Sequence, residues 1–564
     1  MRFENLVDAL EAAPSECNFI TSWSDVDDQD TITFGEFRQR ARAQARALQQ
    51  NGVREGDHVV ILMPQSVSAM AVFVGAMMLG AVPSFLAYPN FKIEPAKYRS
   101  GLVGVIANLH AKLIVIDSDF PDELLEHITL GDGGALLRAA DGVASPEDVL
   151  VPCLRIEGTQ PAFVQHSAGT TGLQKGVMLT HAAVLRQLAH LADALHISAT
   201  YDSVYTWLPL YHDMGLIAGF LLPMVYHLPL VMQSPLEWVM RPQNMLHAIS
   251  EHKCTLAWQP NFAFQFIARR TPVENRTRYD LSSLRALVNC SEPVRASSMD
   301  EFRDTFVGSG LRPEALLSSY AMAENVFAAT QSDPSQPGGP TRIWADHKLF
   351  RSEHLVAKAV GGALDVICFV SSGRLLRNAE LQILSDAGET LVQGQVGEIL
   401  LRSDCLFEGY CNRPDLTAKA LVDDWYHTGD LGFVFDDELY VVGRRKDLLI
   451  VGGENIYPQD IEDIVAGHKA IHDGRAIAMG VYNPGLGTEE IIVVAEVERD
   501  ELLAQAPVFE QEIRTAVVEG MGVAVRTVFL MPPKWIVKST AGKPARAATR
   551  AKLQTEHPEL NLEG

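Results

Sequence analysis

Between Thr31 and Ile116 the chain alternates between helical and strand periods of apolar residues, and no other feature limits its fold so tightly. Thr31–Phe34 opens a strand-to-helix unit. Phe37–Gln50 (FRQRARAQARALQQ) is rich in Ala, Arg, Gln and Leu, stops at Asn51-Gly52, and is followed after Gly56-Asp57 by the apolar run His58–Met63. Helix signals return at Ser68–Leu79 and Tyr98–Asn108, strand signals at Val82–Ala87 and Lys112–Ile116. A helix between successive buried strands predicts a doubly wound α/β sheet, because a right-handed helical crossover is what brings parallel strands side by side.

The pattern resumes after a Gly/Asp-rich connection, Leu124–Glu157. His181–Leu195 predicts a helix, and Ser203–Leu208 a strand running into WLPLYHDMGL, which carries His212. Glu251–Gln259 supplies a helix end and a strand. Leu284–Cys290 predicts a strand opening into Ser291, Glu292 and Pro293, and Ala315–Leu317 one delivering SSYAMAEN, with Tyr320, Ala321 and Glu324. Such sheets bind ligands beyond the carboxyl ends of their strands, which makes these residues cofactor-binding candidates. From about Val366 short alternating strands take over, at Glu380–Leu384, Gly397–Leu401, Trp425–Gly429 and Leu439–Val442. The expected organisation is a large N-terminal domain of doubly wound, mostly parallel sheets over residues 1–443, whose last part (about 366–443) is β-rich. A small, mobile α+β C-terminal domain follows over 444–564, with helices at Pro458–Ala466 and Glu510–Glu519 and strands at Ala476–Val481 and Ile491–Val497.

Composition sets the class. The 564 residues, 47% hydrophobic and 21% charged, exceed what one core can organise and exclude disordered and fibrous classes. With 47 basic against 70 acidic residues the net charge is −23, which disfavours nucleic acid and anionic membranes as partners. Seven cysteines (Cys17, Cys153, Cys254, Cys290, Cys368, Cys405 and Cys411) show no C-x-x-C pair, which argues against a disulfide framework or a zinc site and for a reduced, cytoplasmic protein. MRFENLVDALEAAP lacks an apolar core and is expected to be a helix, not a secretory signal. Val67–Ala87 and Met214–Met232 approach membrane-span length, but Gly75, Gly80 and Pro83 break the first and Pro223, His227 and Pro229 the second, so no span is expected.

One stretch suits a polyphosphate: VQHSAGTTGLQKGVMLTH, Val164–His181. An apolar lead-in runs into Ser167, Ala168, Gly169, Thr170, Thr171 and Gly172, then Lys175 and Gly176, so the backbone can turn tightly with hydroxyls and N–H groups on one side. It is not the loop of P-loop NTPases, which needs a Gly-Lys-Ser/Thr ending; here Gly176 follows Lys175 and only two residues separate Gly169 from Gly172.

Taken in order, SAGTTGLQKG (Ser167–Gly176), SYAMAEN (Ser319–Asn325), YHTGDLG (Tyr426–Gly432), GRRKDLLIVGGENIYPQDIE (Gly443–Glu462) and KSTAGKPAR (Lys538–Arg546) resemble the acyl-adenylate-forming superfamily. WLPLYHDMGL, WQPNFAF (Trp258–Phe264), NCSEPV (Asn289–Val294) and YPQDIE look most like its fatty acyl-AMP ligases. The resemblance implies two steps. ATP and a fatty-acid-like carboxylic acid give an acyl-adenylate and pyrophosphate, and a phosphopantetheine thiol, of CoA or an acyl carrier protein, then displaces AMP. ATP and Mg2+ are the implied cofactors. Attack on the α-phosphorus builds charge on phosphate oxygens, so donors and cations must be held ready there.

By the same resemblance Thr170, Thr171, Gly172 and Lys175 would surround the β- and γ-phosphates, and Glu324 would hold magnesium, as a hard oxygen ligand can. Asp430 would accept from both ribose hydroxyls, with Arg444 near the nucleotide beside Ser291, Glu292, Pro293, Tyr320 and Ala321. Lys543 would reach the reacting carboxylate and the α-phosphate. Lys446 would be the hinge, Gly452-Gly453 would line the passage for the thiol arm, and His212 would stand between nucleotide and acyl pocket. The implied catalytic set is Lys543, Lys175, His212 and Glu324. Met214–Leu222 and Phe262–Phe266 are candidates for an alkyl tunnel, although apolar stripes are more often core.

Four positions depart from the family pattern: Ala168, Gln174, Cys290 and Ala321. They leave two other readings open, a CoA ligase competent mainly in thioester formation from a ready-made adenylate, and a non-catalytic acyl-nucleotide binding protein. The same resemblance implies that Ala345–Ser372 corresponds to the extra segment of fatty acyl-AMP ligases, which is expected to pack on the N-terminal domain and disfavour free CoA.

Overall fold

A computed structural model describes residues 3–25, 27–89, 95–126, 128, 134–138, 155–166, 175–361, 366–377, 379–451, 454–483, 488–538, 544–560 and 562. Ala168, Thr170, Thr171, Gly172, Gln174, Gly452, Gly453 and Lys543 lie outside the described residues.

The alternation between Thr31 and Ile116 builds a small sheet of four parallel strands, in the order Val82–Phe85, His58–Leu62, Leu113–Ile116, Ala135–Arg138. The first helix, Phe34–Gln50, starts on a reciprocal cap in which Thr33 and Glu36 satisfy each other's backbone N–H groups. It crosses the buried helix Val67–Met78 at Gly75, where a Cβ would stand 2.7 Å from the Ala41 carbonyl. Glycine is required there because the two backbones touch.

The later alternation builds the larger sheet. Asn18–Asp25, Leu230–Met232, Val204–Thr206, Leu256–Gln259, Ala286–Asn289 and Leu316–Ala321 run parallel in that order. Leu256–Gln259 and Ala286–Asn289 are buried at every residue, as expected for strands covered on both faces. Leu316–Ala321 then pairs antiparallel with Ala328–Gln331, which pairs with Arg374–Leu375 and so with Glu438–Arg444, Trp425–Phe435, Gly397–Ser403 and Ala379–Leu384. The β-rich stretch is therefore hydrogen-bonded into the parallel sheet. A third sheet frames the Gly/Ser/Thr loop: Pro161–His166 and Gly176–Thr180 are antiparallel, and Gly409–Tyr410 pairs with the latter. From Leu449 onward a hairpin (Leu449–Val451 with Glu454–Ile456) precedes a sheet of Ile471–Asn483, Thr488–Val497 and Val525–Met531, packed by helices Pro458–Ala466 and Ala506–Met521.

Ser203–Leu208 is a strand only over Val204–Thr206, since Pro209 has no N–H to continue the ladder and Leu208 N–H turns onto Thr206 Oγ1. The apolar run beyond it forms a π-helix, Met214–Leu221, buried along its whole length. Its first turn presses on the preceding strand end, where a Cβ on Gly215 would lie 2.3 Å from the Pro209 carbonyl. Among the described residues no helix is long and apolar enough to cross a membrane.

Ala345–Ser372 forms a helix, His347–Glu353, and a strand, Val366–Val370, paired with Arg342–Asp346. Phe350, Val356 and Phe369 share a core with Val396, Leu431, Phe433 and Tyr440 of the β-rich part, but also with Tyr457, beyond residue 444. The segment thus packs on the N-terminal part, as expected, and touches the part beyond residue 444 as well. Leu349 and Leu355 stay outside that core, Val360 is 80% exposed, and Leu364 lies outside the described residues.

Gly215→Ala should lower stability by about 1–3 kcal/mol through overpacking. Gly101→Ala, in the helix Pro95–Leu109 with open space around its Cβ, should raise it by about 0.4–1 kcal/mol. Denaturation midpoints of the two variants read both effects.

Candidate active site

A cleft of about 2180 Å3 opens where the parallel strands end and is closed on its far side by residues beyond 444. Ser291, Glu292, Pro293, Tyr320 and Ala321 line it from the strand ends, and Asp430, Arg444 and Lys446 from the antiparallel part. Asp430 is directly opposite Arg444 in the ladder, so its Oδ1 meets Arg444 Nε at 3.3 Å, while its Oδ2 accepts from the Tyr320 hydroxyl at 2.6 Å. Burial still pushes this carboxyl above the usual range, with Arg444 and then Tyr320 pulling it back. Burial, then Arg444, holds Lys446 below the usual lysine range. Ser291 adopts φ 70°, which turns the chain sharply after Cys290. The Glu292 carboxylate accepts from Phe262 N–H at 3.1 Å, at the start of the helix Asn261–Arg270, where the helix dipole favours an anion.

Lys175 and Glu324 form a second cluster around Tyr410. Glu324 sits in the short turn Ala323–Asn325, is 8% exposed, and accepts from the Tyr410 hydroxyl through Oε1 at 2.8 Å. Lys175 Nζ stands 4.5 Å from the centre of the Tyr410 ring. The backbone after Glu324 is unusual, for Val326 adopts φ 61° and ψ −52° while Phe327 N–H bonds to Asn325 O at 2.6 Å. That is a γ-turn of the strained hand on a β-branched residue, a cost that surrounding packing must offset. Glu324 Oε2 has no protein partner among the described residues, so an oxygen-seeking cation fits there chemically.

His212 lines the cleft with Nδ1 2.6 Å from Asp213 Oδ1. Beside it the wall is aromatic: Trp207 and Trp238 stack in parallel at 3.5 Å, with Phe262 edge-on at 6.4 and 6.2 Å. Of the two candidate alkyl-tunnel stretches, Met214, Phe262 and Phe266 line the cleft. Phe264 and Leu216–Leu222 are core instead. Helical and π-helical geometry turns alternate side chains away from the cavity, which an apolar run does not reveal.

The family model for AMP-binding enzymes matches residues 11–411. The chain belongs to the AMP-binding enzyme family. It is 29% identical over 552 residues to the long-chain-fatty-acid–AMP ligase FadD28 of Mycobacterium bovis, covering 92% of this chain and 91% of that one. It is 30% identical over 544 residues to the medium-chain-fatty-acid–acyl-carrier-protein ligase JamA of Moorena producens, covering 93% and 90%. Among solved structures it matches one from a study of fatty acyl-adenylate ligases from E. coli and L. pneumophila, with TM-score 0.90, 26% identity and coverage of 99% and 98%. It also matches the L. pneumophila fatty acyl-adenylate ligase in complex with acyl adenylate and pyrophosphate, with TM-score 0.74, 27% identity and coverage of 98% and 96%.

In this AMP-binding enzyme, contacts among the described residues join the part beyond residue 444 to the rest, Arg445 pairing with Glu398 at 3.1 Å and with Asp386 at 2.5 Å. Arg295, two residues past Pro293, pairs with Asp463 at 2.9 Å and Asp460 at 3.6 Å. Arg351 donates to the Met521 carbonyl, and Phe350 stacks on Tyr457 at 5.4 Å. Sequence reasoning missed Arg295, Trp238 and Tyr410, because a lone Arg, Trp or Tyr carries no spacing signal. Tyr410 could have been suspected from Glu408-Gly409-Tyr410, where the glycine has φ 145° and a Cβ would meet Thr417 at 3.0 Å.

Because folding raises the Asp430 carboxyl, the native state holds its proton more tightly than the unfolded chain does. Its stability contribution is therefore largest in acid and is lost as pH rises through the folded pKa. Tyr320→Phe and Arg444→Met each remove a group that favours the ionised form, so both should raise it further, Arg444→Met by more. Carbon NMR titration of the Asp430 carboxyl checks the order.

Proposed function

We propose that this enzyme uses ATP to convert a fatty-acid-like carboxylic acid to an acyl-adenylate and passes the acyl group to a phosphopantetheine thiol. The observation that carries this reading is one cleft with two chemistries. The Asp430–Tyr320–Arg444 group suits ribose and phosphate, and the Trp207–Trp238–Phe262 wall suits an acyl chain, with His212 lining the same cleft. The ionised Asp430 would accept from the ribose hydroxyls, and Ser291, Glu292, Pro293 and Ala321 would flank the base. Lys175, with Thr170, Thr171 and Gly172, would hold the outer phosphates. Glu324 would hold magnesium, which when bound neutralises phosphate charge. His212, fixed by Asp213, would orient the incoming carboxylate beside the α-phosphate.

Lys543 would supply the remaining charge. It belongs to the stretch between Lys538 and Pro544, which bridge to each other and both line the cleft, and this supports its placement at the reacting groups. Lys446 would serve as hinge, with residues 444–564 moving as a unit so that Gly452-Gly453 admits the thiol arm; the partly exposed ion pairs of Arg295 with Asp460 and Asp463 across that boundary support it. The likeness to a ligase named for an acyl carrier protein supports a carrier acceptor, and the six free cysteines among the described residues support a cytoplasmic setting.

Lys543→Ala should lower acyl-adenylate formation by about 10² or more while ATP binding stays near wild type. Mass spectrometry of acyl-AMP after incubation with ATP and a panel of fatty acids reads the loss, and adenylate at wild-type yield removes Lys543 from the mechanism. If the Ala345–Ser372 segment restrains the C-terminal part, Phe350→Ala with Arg351→Ala should raise turnover with free CoA relative to a phosphopantetheinylated carrier. An unchanged ratio in a thioester assay removes that role.

A further inference from the structure

Tyr410 is 4% exposed and stands between the two phosphate-side residues. Its backbone is fixed from three directions. Tyr410 is the ladder partner of Val177, Cys411 N–H bonds to Gly176 O at 2.7 Å, and Tyr410 N–H bonds to Thr417 Oγ1 at 2.9 Å. Three residues earlier Phe407 N–H bonds to the Glu324 carbonyl at 2.9 Å, and the Phe407 ring meets the Tyr410 ring edge-on at 4.9 Å. The segment thus ties the backbone that follows Lys175 to the turn that carries Glu324. Its side chain repeats the tie, with the hydroxyl on Glu324 Oε1 and the ring face toward Lys175 Nζ.

We propose that Tyr410 is a positioning residue that aims the Glu324 carboxylate and the Lys175 ammonium at the same polyphosphate without discharging either. This rests on the reading of Glu324 as the magnesium ligand. An aromatic face attracts an ammonium but does not neutralise it, and among the described residues Lys175 has no ion pair, so its charge stays available to a phosphate. A single hydroxyl likewise fixes one carboxylate oxygen and leaves the other for a cation, as partners that orient metal ligands do.

The test measures binding of the non-reacting analogue α,β-methylene-ATP by calorimetry, with and without Mg2+. Tyr410→Phe keeps the ring and loses the hydroxyl, so it should cut the Mg2+-dependent gain in affinity about tenfold and leave metal-free affinity at wild type. Tyr410→Leu should also weaken metal-free binding. If Tyr410→Phe keeps the full Mg2+ gain while Glu324→Gln loses it, the inference is overturned and the Glu324 reading stands. If Glu324→Gln keeps it, the Glu324 reading falls and takes the inference with it. A ring-fluorinated tyrosine at position 410 preserves packing and hydroxyl, so it serves should the substitutions unfold. Its fluorine resonance should shift on adding Mg2+ with the analogue, and not in Glu324→Gln. An unmoved resonance in the otherwise native protein overturns the proposal.

Discussion

Pairing the largely buried Asp430 carboxyl with donors from two other strands is the constraint around which the cleft is built. An unpaired buried charge costs several kcal/mol, so the site requires donors that arrive already positioned. Arg444 comes from the neighbouring strand and Tyr320 from the last parallel strand, and they meet only because the antiparallel strands are hydrogen-bonded into the parallel sheet. Burial still outweighs both partners and raises the carboxyl above the usual range. In the proposed reaction the two ribose hydroxyls would be further donors to it.

The same economy operates on the phosphate side. Lys175 and Glu324 bear opposite charges and lie near one tyrosine, yet no ion pair joins them among the described residues. A direct pair would cancel the charges that the proposed polyphosphate and its cation would meet. Tyr410 keeps them close without that cancellation, and the γ-turn at Val326 fixes the chain that follows Glu324.

The part beyond residue 444 is held by contacts of another kind. Arg295 and the two aspartates are partly exposed, and such pairs are individually worth about 0–1 kcal/mol. Phe350 on Tyr457 adds a modest aromatic contact. These terms favour one arrangement without locking it. The Ala345–Ser372 segment touches both sides of that boundary.

The sequence by itself determined the parallel α/β class, most helices and strands to within a few residues, and the ordered motifs that name Asp430, Glu324, Lys175 and Lys543. It could do so because helix and strand periods are local and because phosphate chemistry restricts residue types at short spacing. Only the tertiary structure decided that the first alternation builds a separate small sheet and that the β-rich strands continue the large one. Strand partners lie far apart in sequence, and hydrogen-bond pairing leaves no local mark. The placement of Tyr410, Arg295 and Trp238 was decided the same way, since each acts through a neighbour that only folding brings into reach.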